Sequence, residues 1–259
     1  MRTVAMLVIT LGLVVPSLAS AEMTAEQIVD KSLNVNGNGF REGKAQIKLV
    51  LTSKGGDTRV RTIQSTAMKE GSKNRVRILF LAPADVKGTG LLIRERGKGK
   101  GDLQYLYLPA LKKIRRISGS AKNSSFMGTD FTYADLENRE IKDNDYKRMP
   151  DESYRGTPCY RIVSTPKPGR DDYYSKVDML IAKSNFVVLK ADFYDKSGSR
   201  LKEMKAGTVE KVEGRWVVRK LLMKNVQKGT KTLLTVESIT YSPQPPLQSS
   251  MFTKESLKQ

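Results

Sequence analysis

Between Lys44 and Tyr241 one alternating segment follows another through connections of only a few residues, and this spacing constrains the fold more than any single motif. KAQIKLVL places Ala45, Ile47, Leu49 and Leu51 on one face at period two, and SKGGD turns the chain back. TRVRTIQSTAMK, NRVRILFL, GLLIRER and LQYLYL follow, divided by EGSKN, PADVKGTG and GKGKGD. Pro109 ends the last of these, because proline cannot donate to a ladder, and the basic strand KKIRRIS comes next. Farther on, CYRIVS, SKVDMLIA, NFVVLKADFY, RLKEMKAGTVE, RWVVRKLLMK and TLLTVESITY read as strands, with KSG, EG and KGT as tight turns. Connections this short leave no room for parallel crossovers, so about ten or eleven strands form an antiparallel meander.

An antiparallel sheet of that size curls or splits, and a curled sheet needs a cover over its concave face. Two covers are available. Thr24 and Gln27 form a capping box for a helix that carries Ile28, Val29 and Leu33 on one side and stops near Gly37. The second is the segment 126–136, where Phe126, Met127, Phe131, Tyr133 and Leu136 cluster around Gly128. Surface connections are ordinarily polar, so this aromatic segment either plugs a core or caps a binding cavity. The expected fold is mainly β, of the α+β class: a large antiparallel sheet, curled or split, with an N-terminal helix and a short helical lid as its covers. No repeat or linker divides residues 22–259, which read as a single domain.

Residues 1–21 stand apart. Arg2 precedes the apolar run from Ala5 to Val15, and Ala19-Ser20-Ala21 has the small residues that a signal peptidase accepts. Pro16 and Ser17 interrupt the run before it reaches the roughly 20 apolar residues of a membrane span. Cleavage after Ala21 and a soluble periplasmic protein are the expectation.

The chain contains no histidine, which excludes Ser/His/Asp and Cys/His catalysis and every histidine-based metal site. Cys159 is the single cysteine, so no intramolecular disulfide forms, and its place at the start of a strand marks a packing residue. The net charge of +19 is uneven. Residues 41–122 carry twenty Lys/Arg against six Asp/Glu, residues 123–195 eleven against thirteen, and residues 196–259 thirteen against five. In an exported protein such basic ends face anionic head groups or acidic polymers rather than nucleic acid, or they solvate the outer faces of strands.

GKGKG, from Gly97 to Gly101, precedes a strand rather than a helix, and so reads as a hairpin loop and not a phosphate loop. Asp135 stands three residues after Thr132 and Asp130 lies beside Gly128, positions that suit capping and turns better than acid/base chemistry. Arg115 and Arg116 alternate in facing. One of them points toward the concave face, where it needs Asp130 or a ligand's polar end as a partner.

YLYLPALKKIRRI followed by SSFMGTDFTYADL resembles the central signature of the LolA-like outer-membrane lipoprotein-sorting family, in which a strand pair leads into a phenylalanine-glycine-aspartate segment. YYSKVDMLIAKSNFVVLKADFYDKSGSRLKEM and the ending MFTKESL resemble further blocks of that family. The resemblance implies a large curved antiparallel sheet forming an open, incomplete β-barrel, and a non-enzymatic periplasmic carrier, without cofactor, that holds the acyl chains of a lipoprotein or lipid beneath helical covers. An RND-type exporter or an outer-membrane acceptor is its expected partner, with transient contact to an anionic membrane surface. The expected ligand-binding residues are Phe126, Met127, Phe131, Tyr133 and Leu136 of the loop, Tyr105 and Tyr107 of the preceding strand, and Arg115 and Arg116. A periplasmic lipid sensor on the same scaffold and a polyanion-binding module are the alternative readings.

Overall fold

The computed structural model describes residues 22–36, 42–97, 100–137, 140–170 and 172–258. The expected export signal, the helix stop near Gly37 and the middle of the GKGKG turn lie outside these residues. Helix α1 (Ala25–Asn36) begins as its capping box requires. The Thr24 N–H donates to Gln27 Oε1 at 2.9 Å and the Gln27 N–H to Thr24 Oγ1 at 3.2 Å.

Strands β1 (Gly43–Thr52), β2 (Thr58–Glu70), β3 (Lys73–Ala82), β4 (Gly90–Arg94), β5 (Leu103–Leu108) and β6 (Lys113–Ile117) form a meander in which each pairs with the next. A long loop then leads to β7 (Asn144–Tyr154), β8 (Thr157–Pro166), β9 (Lys176–Ala182), β10 (Val188–Tyr194) and β11 (Arg200–Ala206), a second meander. The chain continues through β12 (Val209–Val212), β13 (Arg215–Val218), β14 (Lys220–Asn225) and β15 (Thr230–Thr240). Pairing of β1 with β15, with Leu49 opposite Leu234 and Leu51 opposite Thr232, joins the two halves. The result is one curved antiparallel sheet of thirteen strands, with β6 and β7 as free edges, not closed into a barrel.

Two details depart from the sequence reading. RLKEMKAGTVE and RWVVRKLLMK each divide in two, because β12 and β13 leave the main sheet as a separate ribbon while Gly207 and Arg219 keep the base of that ribbon bonded across. β7, NDYKRMPDESY, carries no clear alternation and contains Pro150. It is an edge strand, where a missing N–H is tolerated, and its register shifts between Met149 and Glu152.

The inner face of the sheet carries two apolar clusters. Ala45, Ile47, Leu49 and Leu51, the alternating set of β1, are all buried in the first, with Ile63, Phe80 and Leu106. Ile28 and Val29 of α1 enter the second, with Ile162, Met179, Ile181 and Phe193 of β8 to β10. On the outer face, Leu92 packs against Phe252 and Leu257 of the C-terminal segment. Gly90 permits that approach, since a Cβ at this position would lie 2.9 Å from Leu257 Cδ2. The outer face of the second half is ionic instead: Arg161 pairs with Glu152 at 2.6 Å and with Asp178 at 2.7 Å, and Glu203 pairs with Arg200 at 2.7 Å and with Lys205 at 2.9 Å. Cys159 is fully buried, and burial pushes its thiol above the usual range.

Candidate functional site

The loop between β6 and β7 folds back as a small hairpin over the inner face. Ser125 and Thr132 bridge its stem, and the Phe126 N–H donates to Phe131 O at 2.8 Å. Its tip turns through Met127 and Gly128, both in the left-handed region at φ 49° and 79°. Glycine takes this conformation at no steric cost; methionine does not, and its carbonyl is held from outside the loop.

Four strands hold this loop from separate directions. Arg61 of β2, itself buried, donates to Met127 O. Asp130 is bound to β15: its N–H donates to Thr232 Oγ1 at 2.9 Å, the Thr232 hydroxyl returns to Asp130 Oδ2 at 2.7 Å, and the Thr230 hydroxyl takes Oδ1. From β5, Gln104 Nε2 donates to Tyr133 O at 2.9 Å. From β11, Lys202 Nζ reaches Asp135 Oδ2 at 3.0 Å, and both side chains are almost completely buried. Asp135 also accepts from the Tyr174 hydroxyl at 2.7 Å and from the Thr132 N–H at 2.8 Å, while its own N–H donates to Thr132 Oγ1 at 3.2 Å. The capping relation between Thr132 and Asp135 therefore forms as their spacing implies.

The expected binding residues separate into three groups. Phe126 and Tyr133 are buried in the first cluster, with the Phe126 ring 5.6 Å from both Phe80 and Tyr133, and Met127 and Leu136 pack beside them. Burial raises the Tyr133 phenol above its ordinary range. Of the five expected loop residues Phe131 alone packs against the second cluster, and it is only half-buried. The loop thus spans both halves of the sheet.

Tyr105 and Tyr107 lie elsewhere. Alternation along β5 sends Leu106 to the inner face and the two tyrosines to the outer one, against Leu92, Phe252 and Leu257. Arg115 and Arg116 are both exposed on edge strand β6, and Asp130 is taken by Thr230 and Thr232 rather than by either arginine. Edge position explains the difference, because a residue at a free margin meets water on whichever face it points to.

Arg61, Lys202, Thr230 and Thr232 escaped the sequence reading. A signal existed for Lys202: in RLKEMKA it shares the phase of Met204 and Ala206, so a strand buried on that face must bury a lysine. No local signal marked Arg61, since TRVRTIQSTAMK alternates equally well in either phase until Leu49 is placed opposite it.

Beside Phe131 the loop leaves a cavity of about 520 Å³ above the hairpin tips of β1–β2 and β14–β15. Leu51, Phe131 and Tyr173 form its apolar side chains. The rest is polar and basic: Arg59, Arg61, Lys202, Lys228 and Lys231 line it, against Asp57 and Asp130. Burial holds the Arg61 guanidinium below its ordinary range, and the Tyr173 phenol is raised first by burial and then by the charge of Asp135. Among the described residues there is no cluster of three metal-ligating side chains, and no helix is long and apolar enough to cross a membrane.

Among curated proteins none matches the chain. Several solved structures do. A DUF1329 family protein from Desulfovibrio piger is 28% identical, covering 90% of this chain and 98% of its own, with a TM-score of 0.81. A domain from Vibrio parahaemolyticus, described as outer membrane lipoprotein-sorting, is also 28% identical, with 91% and 100% covered and a TM-score of 0.79. A LolA superfamily protein from Nitrosomonas europaea shares 18% identity over 91% and 100% of the chains with a TM-score of 0.70, a likeness of fold. The family model for this group, described as an uncharacterized protein, matches residues 72–259. That match covers most of the chain, and the chain belongs to the DUF1329 family, with the curved-sheet fold of LolA-like proteins.

Proposed function

We propose that the protein is a non-enzymatic periplasmic carrier of acylated cargo, a lipoprotein or a lipid, exported by residues 1–21 and cleaved after Ala21 to leave residues 22–259 as one binding domain. The observation that carries this reading is the loop of residues 123–137. Its aromatic side chains occupy the apolar inner face of a sheet open at both edges, while polar bonds to four different strands hold it there. Phe126 and Tyr133 fill the space that an acyl chain takes when the loop lifts, and Phe131 stands at the boundary between that space and the open cavity. Each methylene buried contributes about 0.8 kcal/mol, so cargo with several chains offsets the displaced aromatic contacts and the broken polar bonds. The resemblance to lipoprotein-sorting proteins and the structure of the Vibrio parahaemolyticus domain support the same class of cargo. Delivery runs toward the outer membrane, with an RND-type exporter or an outer-membrane acceptor as the partner.

Native mass spectrometry of protein purified from periplasm without detergent tests this reading. Retained lipid or lipopeptide, exchangeable for a fluorescent fatty acid, is expected. Protein that emerges free of lipid and binds neither a fatty acid nor a lipopeptide overturns it.

A further inference from the structure

We propose that the basic cavity beside Phe131 is an anion site for a phosphate ester, the head group of the cargo. The inference that the phosphate belongs to an acylated molecule rests on the carrier reading; the anion site itself rests on the cavity alone.

The cations come from two hairpins that meet at the β1–β15 seam. Arg59 and Arg61, two residues apart on β2, point to the same face, and Lys228 lies in the β14–β15 turn, while Lys231, between Thr230 and Thr232, points to the face opposite theirs. The carboxylates present do not match them. Asp130 spends one oxygen on each of the Thr230 and Thr232 hydroxyls, and Asp57 accepts the Ser53 hydroxyl at 3.2 Å within its own turn. Lys202 pairs with the buried carboxylate of Asp135, and Arg61 donates to the Met127 carbonyl, a neutral acceptor that leaves its charge unmatched. Even with Asp135 counted, cations outnumber carboxylates around a space large enough for a head group.

Gathering like charges around a cavity costs free energy that a bound anion recovers, and the recovery grows with the charge of the anion. A phosphate fits this set because its oxygens accept from guanidinium forks and ammonium groups together, whereas a neutral glycerol or sugar head leaves the charges unmatched. The single apolar strip, Leu51, Phe131 and Tyr173, gives the adjoining acyl chains a path from the head group toward the inner face. A nucleic acid is disfavoured, since its charge is spread along a strand while this site is a bounded cavity beneath a loop.

The test is calorimetric titration of delipidated protein with dioctanoyl phosphatidic acid, dioctanoylglycerol and inorganic phosphate, for wild type and for the Arg59→Gln/Lys228→Gln variant. Neither substituted residue holds the loop. Phosphatidic acid is expected to bind at least about tenfold more tightly than dioctanoylglycerol, an advantage that the variant abolishes while leaving dioctanoylglycerol affinity unchanged. Equal affinity for the two lipids overturns the anion site and leaves the carrier reading standing. Charge-dependent binding of inorganic phosphate with no binding of either lipid upholds the anion site and removes the carrier reading. No binding of any of the three overturns both.

Discussion

Asp130 and Thr232, 102 residues apart in sequence, exchange two hydrogen bonds: the Asp130 N–H donates to the Thr232 hydroxyl oxygen at 2.9 Å, and that hydroxyl donates to Asp130 Oδ2 at 2.7 Å. Thr232 is fully buried, so its hydroxyl finds no water when Asp130 is removed, whereas Asp130 is only partly buried on the cavity wall. Thr232→Val keeps the shape and deletes both bonds; a loss of about 1–3 kcal/mol is expected, with Thr232→Ser much closer to wild type. Urea unfolding of the three proteins measures this, and equal midpoints for Val and wild type would show that the pair does not hold the loop.

The Lys202–Asp135 pair makes a stronger demand. Each side chain is nearly inaccessible, and the ammonium also sits 5.5 Å from the ring centres of Tyr173 and Tyr174. Lys202→Met takes the ammonium away from a buried carboxylate and is expected to cost about 3–5 kcal/mol. Lys202→Met/Asp135→Asn removes the carboxylate charge as well and should recover part of that loss. A double variant as unstable as the sum of two damaging single changes would argue against coupling.

Phe126 and Phe131 lie five residues apart in one loop and should behave differently. Phe126 is packed against Phe80 and Tyr133, and its truncation to alanine is expected to cost about 3–5 kcal/mol of stability. Phe131 is half-buried on the cavity wall, so Phe131→Ala should lower affinity for a fluorescent fatty acid or lipopeptide more than it lowers the melting temperature. A large stability loss with affinity intact in the folded fraction would place Phe131 in the core and dismiss it as a cargo contact.

A chain without histidine has no side chain that ordinarily titrates near neutrality, and the pH dependence that Asp195 contributes lies in acid. The Ser197 hydroxyl and Gln227 side chain, followed by the Ser199 and Ser197 N–H groups, lower its carboxyl to about 2. Its folded value lies below the unfolded value of about 3.9, so its contribution is present above that value and is lost as pH falls toward 2. Thermal melts at steps from pH 5 to pH 2 should therefore fall more steeply for wild type than for Asp195→Asn. Parallel curves would show that the turn draws nothing from the ionised form.

Much of the sheet was legible in the chain because local chemistry dictates it. Alternation in KAQIKLVL is sufficient to bury Ala45, Ile47, Leu49 and Leu51 together, short turns enforce antiparallel neighbours, and Thr24 with Gln27 starts α1 wherever the helix docks. The aromatic content of residues 126–136 likewise marked a segment that must cover something. What it covers, and how it is held, was decided only in three dimensions. Lys202, Thr232, Arg61 and Gln104 come from four strands far apart in sequence; Arg61 and Gln104 reach the loop from the first meander, and Lys202 and Thr232 only once pairing of β1 with β15 joins the two halves. Facing set the remaining differences: Tyr105 and Tyr107 were grouped with the loop by proximity in sequence, yet a pleated strand sends them to the opposite side from Leu106. Period two determines which residues share a face, but the partner strands determine which face is the inner one, and the basic cavity exists only because two hairpin tips end side by side.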